Sequence, residues 1–188
     1  MNDNVKEQAE EEFAATPNTA SNTTFRQVIK EVLVNIIVIA LTAAFCHFVI
    51  TPYYIPSASM EPTLADPCLC IGWSLPYLID DPYPNRGDIV VFRTSNPEKP
   101  YYVKRVIGLP GETIHFENGD VYINGELITE PYLLEQHSTV ATGDSDSYTI
   151  PDGCVFVMGD NRRNSADSRV MDGHFVKITD IQSRILFK

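Results

Sequence analysis

Polar and apolar positions divide the 188-residue chain into three stretches. Residues 1–31 are polar and carry six acidic and three basic side chains. Glu10, Glu11 and Glu12 run together, and Ala15 to Thr24 is mostly Ala, Thr, Asn, Ser and Pro. This composition predicts a mobile acidic tail, too acidic for an organelle transit peptide. Residues 32–50, VLVNIIVIALTAAFCHFVI, contain no charge, and Asn35, Thr42 and His47 are their clearly polar positions. At about 1.5 Å per residue the run spans roughly 28 Å, the hydrocarbon thickness of a bilayer, and predicts a transmembrane helix. A cleavable signal sequence is the rival reading. Its apolar region would be about 7–15 residues long and follow a short basic stretch. Here the run is longer and its leader acidic, which favours a retained anchor.

The remainder, residues 51–188, alternates in a different way. "RGDIVVF", "YYVKRVIG", "DVYINGELI", "CVFVMGD" and "SRILF" are short β-branched and aromatic runs. Turn residues bound them, among them Asn85-Arg86-Gly87-Asp88, Pro110-Gly111, Asn118-Gly119, Asn124-Gly125 and Asp152-Gly153. Such runs read as strands, and Asn124-Gly125 is a strong hairpin signal. The predicted fold class is mainly β: an antiparallel β-sheet domain behind one N-terminal transmembrane helix. Residues 134–148 are polar and read as a loop. Thr51, Pro52, Tyr53 and Tyr54 resemble an interfacial belt. The apolar stretch Ile71 to Ile79 reads either as a buried strand and turn or as a segment dipping into the interface.

Charge narrows the function classes. The formal net charge is -11, which argues against nucleic acid as a partner, because phosphate contact needs a basic face. Arg26 and Lys30 precede the apolar run and no Lys or Arg follows until Arg86. Counting basic residues near the ends keeps the N-terminus cytoplasmic and puts the domain on the trans side. Four cysteines are too few for a disulfide-built scaffold. No Cys/His cluster has metal-ligand spacing and no Gly-rich phosphate loop is present, so neither metal nor cofactor is expected.

Three segments carry candidate chemistry. In Pro56-Ser57-Ala58-Ser59-Met60-Glu61-Pro62-Thr63-Leu64 two small hydroxyl residues flank an alanine. The segment reads either as a linker leaving the membrane or as a nucleophile in need of a base. The base has two sources. His115, His137 and His174 lie outside the apolar run, and Ser-His-Asp arrangements occur in any chain order. Lys104 sits in the otherwise apolar "YYVKRVIG", where Tyr102, Lys104 and Val106 share one strand face. Burial there would lower its pKa; snorkelling to solvent or pairing with an acid is the bland alternative. The third segment, Gly159 to Arg169, packs two acids, three arginines and two serines into eleven residues. It reads as a solvated turn or as a hydrogen-bonded network that orients a catalytic group.

Taken together these blocks resemble the type I signal peptidases, or leader peptidases, Ser-Lys dyad serine proteases of family S26. "PSASMEPTL", "RGDIVVF", "YYVKRVIGLPGE" and "GDNRRNSADSR" match in the family's order, and "VYINGELITEPYL" resembles its variable hairpin, here residues 113–148. The likeness spans about residues 51–186. It implies Ser59 as nucleophile and neutral Lys104 as general base. It implies that Ser57 donates its hydroxyl to the oxyanion beside the Ser59 N–H, and that Ser165 orients Lys104. It further implies that Asp160, Asp167 and Arg169 hold their loop in place, with Arg105 a structural partner. The implied activity is cleavage of N-terminal signal peptides from exported preproteins with small residues at -1 and -3. The implied setting is a bacterial plasma membrane, or alternatively a thylakoid-type one, with lipid as a partner and the chain acting as a monomer. Ser59 lies about nine residues beyond the apolar run, within about 30 Å of its end.

The chain departs from the family's pattern twice. Ala65-Asp66-Pro67-Cys68-Leu69-Cys70 stands where a Gly-Asp turn is usual, and His174-Phe175-Val176-Lys177 where Gly-Phe-Val-Pro is usual. Cys68 and Cys70 would share a strand face; a bridge from either to Cys154 and free buried thiols are both open, with free thiols the expectation. Two other function classes compete. A non-catalytic relative that binds exported chains would be favoured by loss of Ser59 or Lys104, and both are present. A self-cleaving regulator shares the Ser-Met and Lys-Arg pairs and would carry a DNA-binding or partner domain in place of the tail and apolar run.

Overall fold

The computed structural model describes residues 18–74, 83–141 and 145–187. It divides after Cys46. The first part is a helix, α1 (Asn18–Val49, 32 residues). Pro17 stands just before it and neither Pro nor Gly occurs again until Pro52, so nothing local stops the helix from extending over the polar residues ahead of the hydrophobic run. The mobile tail expected through residue 31 is therefore helical from Asn18, and the rest of that tail lies outside the described residues. Within α1, Phe25–His47 has a mean hydropathy of 2.2 and is long and apolar enough to cross a membrane. The helix ends one residue earlier than the hydrophobic run, because Ile50 already belongs to the first strand.

From Ile50 onward the described chain is mainly β. Seven strands form one antiparallel sheet: β1 (Ile50–Ile55), β2 (Cys68–Trp73), β3 (Ile89–Arg93), β4 (Tyr101–Gly108), β9 (Cys154–Met158), β10 (Val176–Lys177) and β11 (Ile181–Phe187). Their order is β1-β2-β11-β3-β4-β9-β10. A second sheet, in the order β7-β6-β5-β8, contains β5 (Thr113–Glu117), β6 (Asp120–Ile123), β7 (Glu126–Leu127) and β8 (Ser147–Thr149). Its hairpins turn at Asn118-Gly119 and Asn124-Gly125, where both residues of each pair have positive φ, as primed turns require. The five β-rich runs of the sequence all become strands. Thr51 to Tyr54, expected at a lipid interface, lie inside β1 paired with β2. Ile71 to Trp73 end β2, and residues 75–79 of the apolar stretch lie outside the described residues. In the polar 134–148 loop, β8 takes Ser147 and Tyr148, and 142–144 lie outside the described residues.

Period-2 alternation distributes the core. Val90 and Phe92 of β3, Val106 of β4, and Val155 and Val157 of β9 share one cluster. On the alternate positions, Val91 and Val103 join Ile55, Met60, Leu64 and Cys70. Ile107, Phe156 and Met158 join Ile114, Phe116 and Val121 of the second sheet. Strand β4 is thus covered on both faces from Val103 onward. Cys154 packs against the second-sheet cluster while Cys68 and Cys70 belong with Met60. No bridge to Cys154 forms. All four cysteines are free, and the Cys68 and Cys70 sulfurs lie 2.7 Å apart.

The pairing along β4 changes partway. On one side β3 runs beside Tyr101 to Arg105. On the other, β9 pairs only from Arg105 onward. The edge of Tyr101–Lys104 therefore has no strand partner among the described residues. Strand β1 likewise pairs on one side only.

Gly119 has φ +88, and a Cβ there would sit 2.1 Å from the His137 carbonyl oxygen. Gly119→Ala is expected to cost about 1–3 kcal/mol through the left-handed backbone and the clash together, and to lower the melting temperature by several degrees. An unchanged melting curve would show that the turn and the 137 loop are not packed this way.

Candidate active site

Ser59 lies in a single 3₁₀ turn, Ala58–Met60, that follows β1. Ser57 caps the turn: its hydroxyl oxygen accepts from the Ser59 N–H at 3.3 Å. Met60 and Leu64 fix the turn from below, both fully buried. Ser59 itself is 7% exposed. Lys104 projects from β4 and is 5% exposed. Its Nζ is 2.8 Å from Ser59 Oγ and donates to the Val103 carbonyl at 2.9 Å. The Ser57 hydroxyl donates to Ser59 Oγ at 3.1 Å. The Ser59 hydroxyl, the Lys104 amine and the Ser57 hydroxyl thus meet within hydrogen-bonding distance.

Burial dominates the electrostatics. It disfavours the ammonium and brings the Lys104 pKa down to about 8, against the opposing pull of Asp167 and Asp160. Both acids are themselves committed. Burial alone would raise the Asp167 pKa, but Arg169 Nε and Nη2 reach its two oxygens at 2.9 Å. With the Gly159 N–H, they hold the carboxyl below its usual range. Asp160 takes a bidentate contact from Arg105 at 2.8 and 2.7 Å. Arg105 also donates to the Gly87 carbonyl and lies with its guanidinium 4.0 Å from the centre of the Tyr132 ring.

Ser165 lies in the same cavity as Ser59 and Lys104. Its hydroxyl is buried with no hydrogen-bond partner at standard geometry, close enough to Asp167 to help keep that carboxylate ionised. The Ser165–Lys104 bond expected from the sequence is not made; the Val103 carbonyl takes that place. The cavity measures about 530 Å³, and Tyr53, Tyr102, Lys99 and Arg163 also line it. No histidine does. His115 contacts the Asp146 carbonyl, His137 pairs with Asp120, and His174 contacts the Ser168 carbonyl.

Sequence reasoning left several residues of this neighbourhood without a role. Asn161 N donates to the Ser59 carbonyl at 3.1 Å and its side chain to the Ala58 carbonyl at 3.2 Å. Arg162, with a fully buried side chain, pairs with Glu130. Nothing local marks Glu130, because its partner lies 32 residues away. The Asn161-Arg162 pair inside the polar block was the available signal.

Comparison with known proteins follows the same residues. The model of the signal peptidase family, peptidase S26, matches residues 26–188. A signal peptidase I of Bacillus amyloliquefaciens is 42% identical over 149 residues, 76% of this chain and 77% of the relative. Signal peptidase I S of Bacillus subtilis (strain 168) is 38% identical over 150 residues, 76% and 78% respectively. A crystal structure of a signal peptidase I from Enterococcus faecalis V583 shares 35% identity, with a TM-score of 0.47 over 55% of this chain and 97% of that one. With a family match over nearly the whole chain and relatives this similar, the chain belongs to the signal peptidase family, peptidase S26, and is a serine peptidase.

Proposed function

We propose that the chain is a membrane-anchored endopeptidase that removes signal peptides with Ser59 as nucleophile and neutral Lys104 as base. The observation that carries this reading is the 2.8 Å contact between Lys104 Nζ and Ser59 Oγ in a buried setting. With the amine neutral, the Ser59 hydroxyl donates to Nζ. As Oγ attacks the scissile carbonyl, Nζ takes the proton and later returns it to the leaving amine. The Ser59 N–H and the Ser57 hydroxyl lie where an oxyanion would form, and turning Ser57 away from Oγ frees both donors. Water then repeats the cycle on the acyl-enzyme. Asp160, Asp167 and Arg169 act by holding the loop beside the dyad, and Ser165 lines the cavity next to Lys104.

Substrate binding follows from the unpaired edges. An extended peptide can add to the free edge of Tyr101–Lys104 beside β1, with main-chain hydrogen bonds supplying affinity. Side chains at alternate positions then meet the cavity, and membership of the signal peptidase family supports small residues at -1 and -3. The exposed Tyr54 and Leu69, paired across β1 and β2, and Ile71 on β2 suit a lipid surface. Together with the Phe25–His47 span they support anchoring, and Arg26 and Lys30 ahead of the apolar run favour a cytoplasmic N-terminus with the domain on the trans side of a bacterial plasma membrane.

Cleavage of a purified preprotein in detergent, with the cut mapped by mass spectrometry, tests the reading. Wild type is expected to cut after a small-X-small motif. Ser59→Ala and Lys104→Ala should each lose roughly a thousandfold or more, and Ser57→Ala roughly a hundredfold. Full activity in Lys104→Ala would sink the dyad.

Because the neutral amine is the base, kcat/KM should climb about tenfold per pH unit below the Lys104 pKa and level off above pH 8. Initial rates from pH 6 to 9.5 measure this; a flat profile would remove Lys104 as base.

Burying the ammonium also costs stability. A drop from 10.5 to about 8 corresponds to about 3 kcal/mol. Below about pH 8 folded and unfolded chains both carry the proton, and the folded one bears the full cost. From pH 8 to 10.5 the folded chain sheds its proton first and the cost fades. Lys104→Met is therefore expected to be inactive yet to melt several degrees higher than wild type at pH 7, with the gain shrinking toward pH 10. Thermal denaturation at the two pH values checks it.

A further inference from the structure

We propose that Glu130 is a positioning residue for the reaction: its single carboxylate holds both the loop that braces the nucleophile and the strand that carries the base. The inference rests on the Ser59–Lys104 reading above.

The carboxylate is buried and fully used. Glu130 is 7% exposed. Its Oε2 accepts from Arg162 Nη1 at 3.0 Å, and its Oε1 accepts from Arg162 Nη2 and from the Tyr132 hydroxyl, the latter at 2.7 Å. These contacts open two routes to the dyad. Along the first, the Arg162 guanidinium also donates to the Thr139 hydroxyl and to the Gly159 carbonyl. The Arg162 carbonyl accepts from Arg169 Nη2 at 2.7 Å, and Arg169 in turn grips Asp167. The residue before Arg162 is Asn161, whose backbone and side chain donate to the carbonyls of Ser59 and Ala58. The turn carrying the nucleophile is therefore tied to a loop whose central arginine is anchored on Glu130.

Along the second route, Tyr132 holds its ring against the guanidinium of Arg105, the residue after Lys104 on β4. Arg105 closes the ring through its bidentate contact with Asp160, whose carbonyl accepts from Leu134 N at 3.4 Å. Glu130, Arg162, Asp160, Arg105 and Tyr132 form a closed circuit, in which the step from Arg162 to Asp160 runs through the Gly159 carbonyl and the adjoining backbone. None of them touches Ser59 Oγ or Lys104 Nζ, so an effect on catalysis would pass through placement. A buried, fully hydrogen-bonded network has few alternative geometries, which is how it fixes groups it does not touch.

The test uses the full chain in detergent with a preprotein, each variant assayed well below its own melting temperature. Glu130→Gln is expected to lower kcat at least tenfold with KM within threefold. Tyr132→Phe keeps the ring over Arg105 and removes only the hydroxyl; it should lower kcat at least threefold. Arg162→Met combined with Glu130→Gln should lose no more than the worse single variant, because both act through one pair. The proposal is overturned if Tyr132→Phe, and Glu130→Gln where it folds, melt lower but retain kcat within twofold, the pattern of a merely structural pair. It is equally overturned if KM alone rises, since the segment would then serve substrate binding. Wild-type cleavage in the same assay separates failure of this role from failure of the peptidase reading.

Discussion

A lysine held out of water beside a serine hydroxyl is the constraint on which this domain depends. Burial destabilises an ammonium in such a place, and on the proposed reading the neutral amine is the useful form. Two carboxylates lie close enough to pull the other way. Each is occupied by an arginine: Asp167 by Arg169 and Asp160 by Arg105. An uncommitted acid at either position would hold the proton on Lys104 far more strongly. Arg169 and Arg105 therefore bear on the charge of Lys104 through the acids they hold.

Strand β4 is where fold and chemistry coincide. Val103 anchors it to the cluster under the nucleophile's turn, and Ile107 to the second sheet. Lys104 and Arg105 stand between these anchors, so the strand cannot shift along its axis without breaking one core or the other. The turn bearing Ser59 is fixed by Met60 and Leu64 of the same cluster and by Asn161 beside it. The Ser59 and Lys104 side chains come from positions 45 residues apart and meet through the packing of these anchors.

Much of this was legible in the sequence. β-branched runs between Asn-Gly, Pro-Gly and Asp-Gly turns become strands because the local and global preferences agree. Ser59, Lys104 and the Gly159–Arg169 block stand out because polar groups interrupt apolar surroundings. β1 was harder, since Pro52 and two tyrosines following a hydrophobic run look like an interface; only the pairing with β2 makes them a strand. The polar start of α1 was missed because low hydrophobicity was read as absence of structure, where the lack of Pro and Gly mattered more. Glu130 and Tyr132 give no local sign, because their meaning arises from partners 32 and 27 residues away that the chain brings near only when folded. The partner of Lys104 was misassigned for a related reason: a main-chain carbonyl, Val103, has no residue-type signature at all.

The split pairing along β4 has a consequence for timing. The unpaired edge covers four residues, Tyr101 to Lys104, about 13 Å of extended chain, and beyond it β9 closes the sheet. A segment can occupy that gap only while its own amides and carbonyls are unsatisfied. A stretch already wound into a helix or laid into another sheet has nothing left to offer it. On the proposed reading, the gap selects by folding state before it selects by side chain: a passenger is open to the enzyme as it emerges and closed to it once folded.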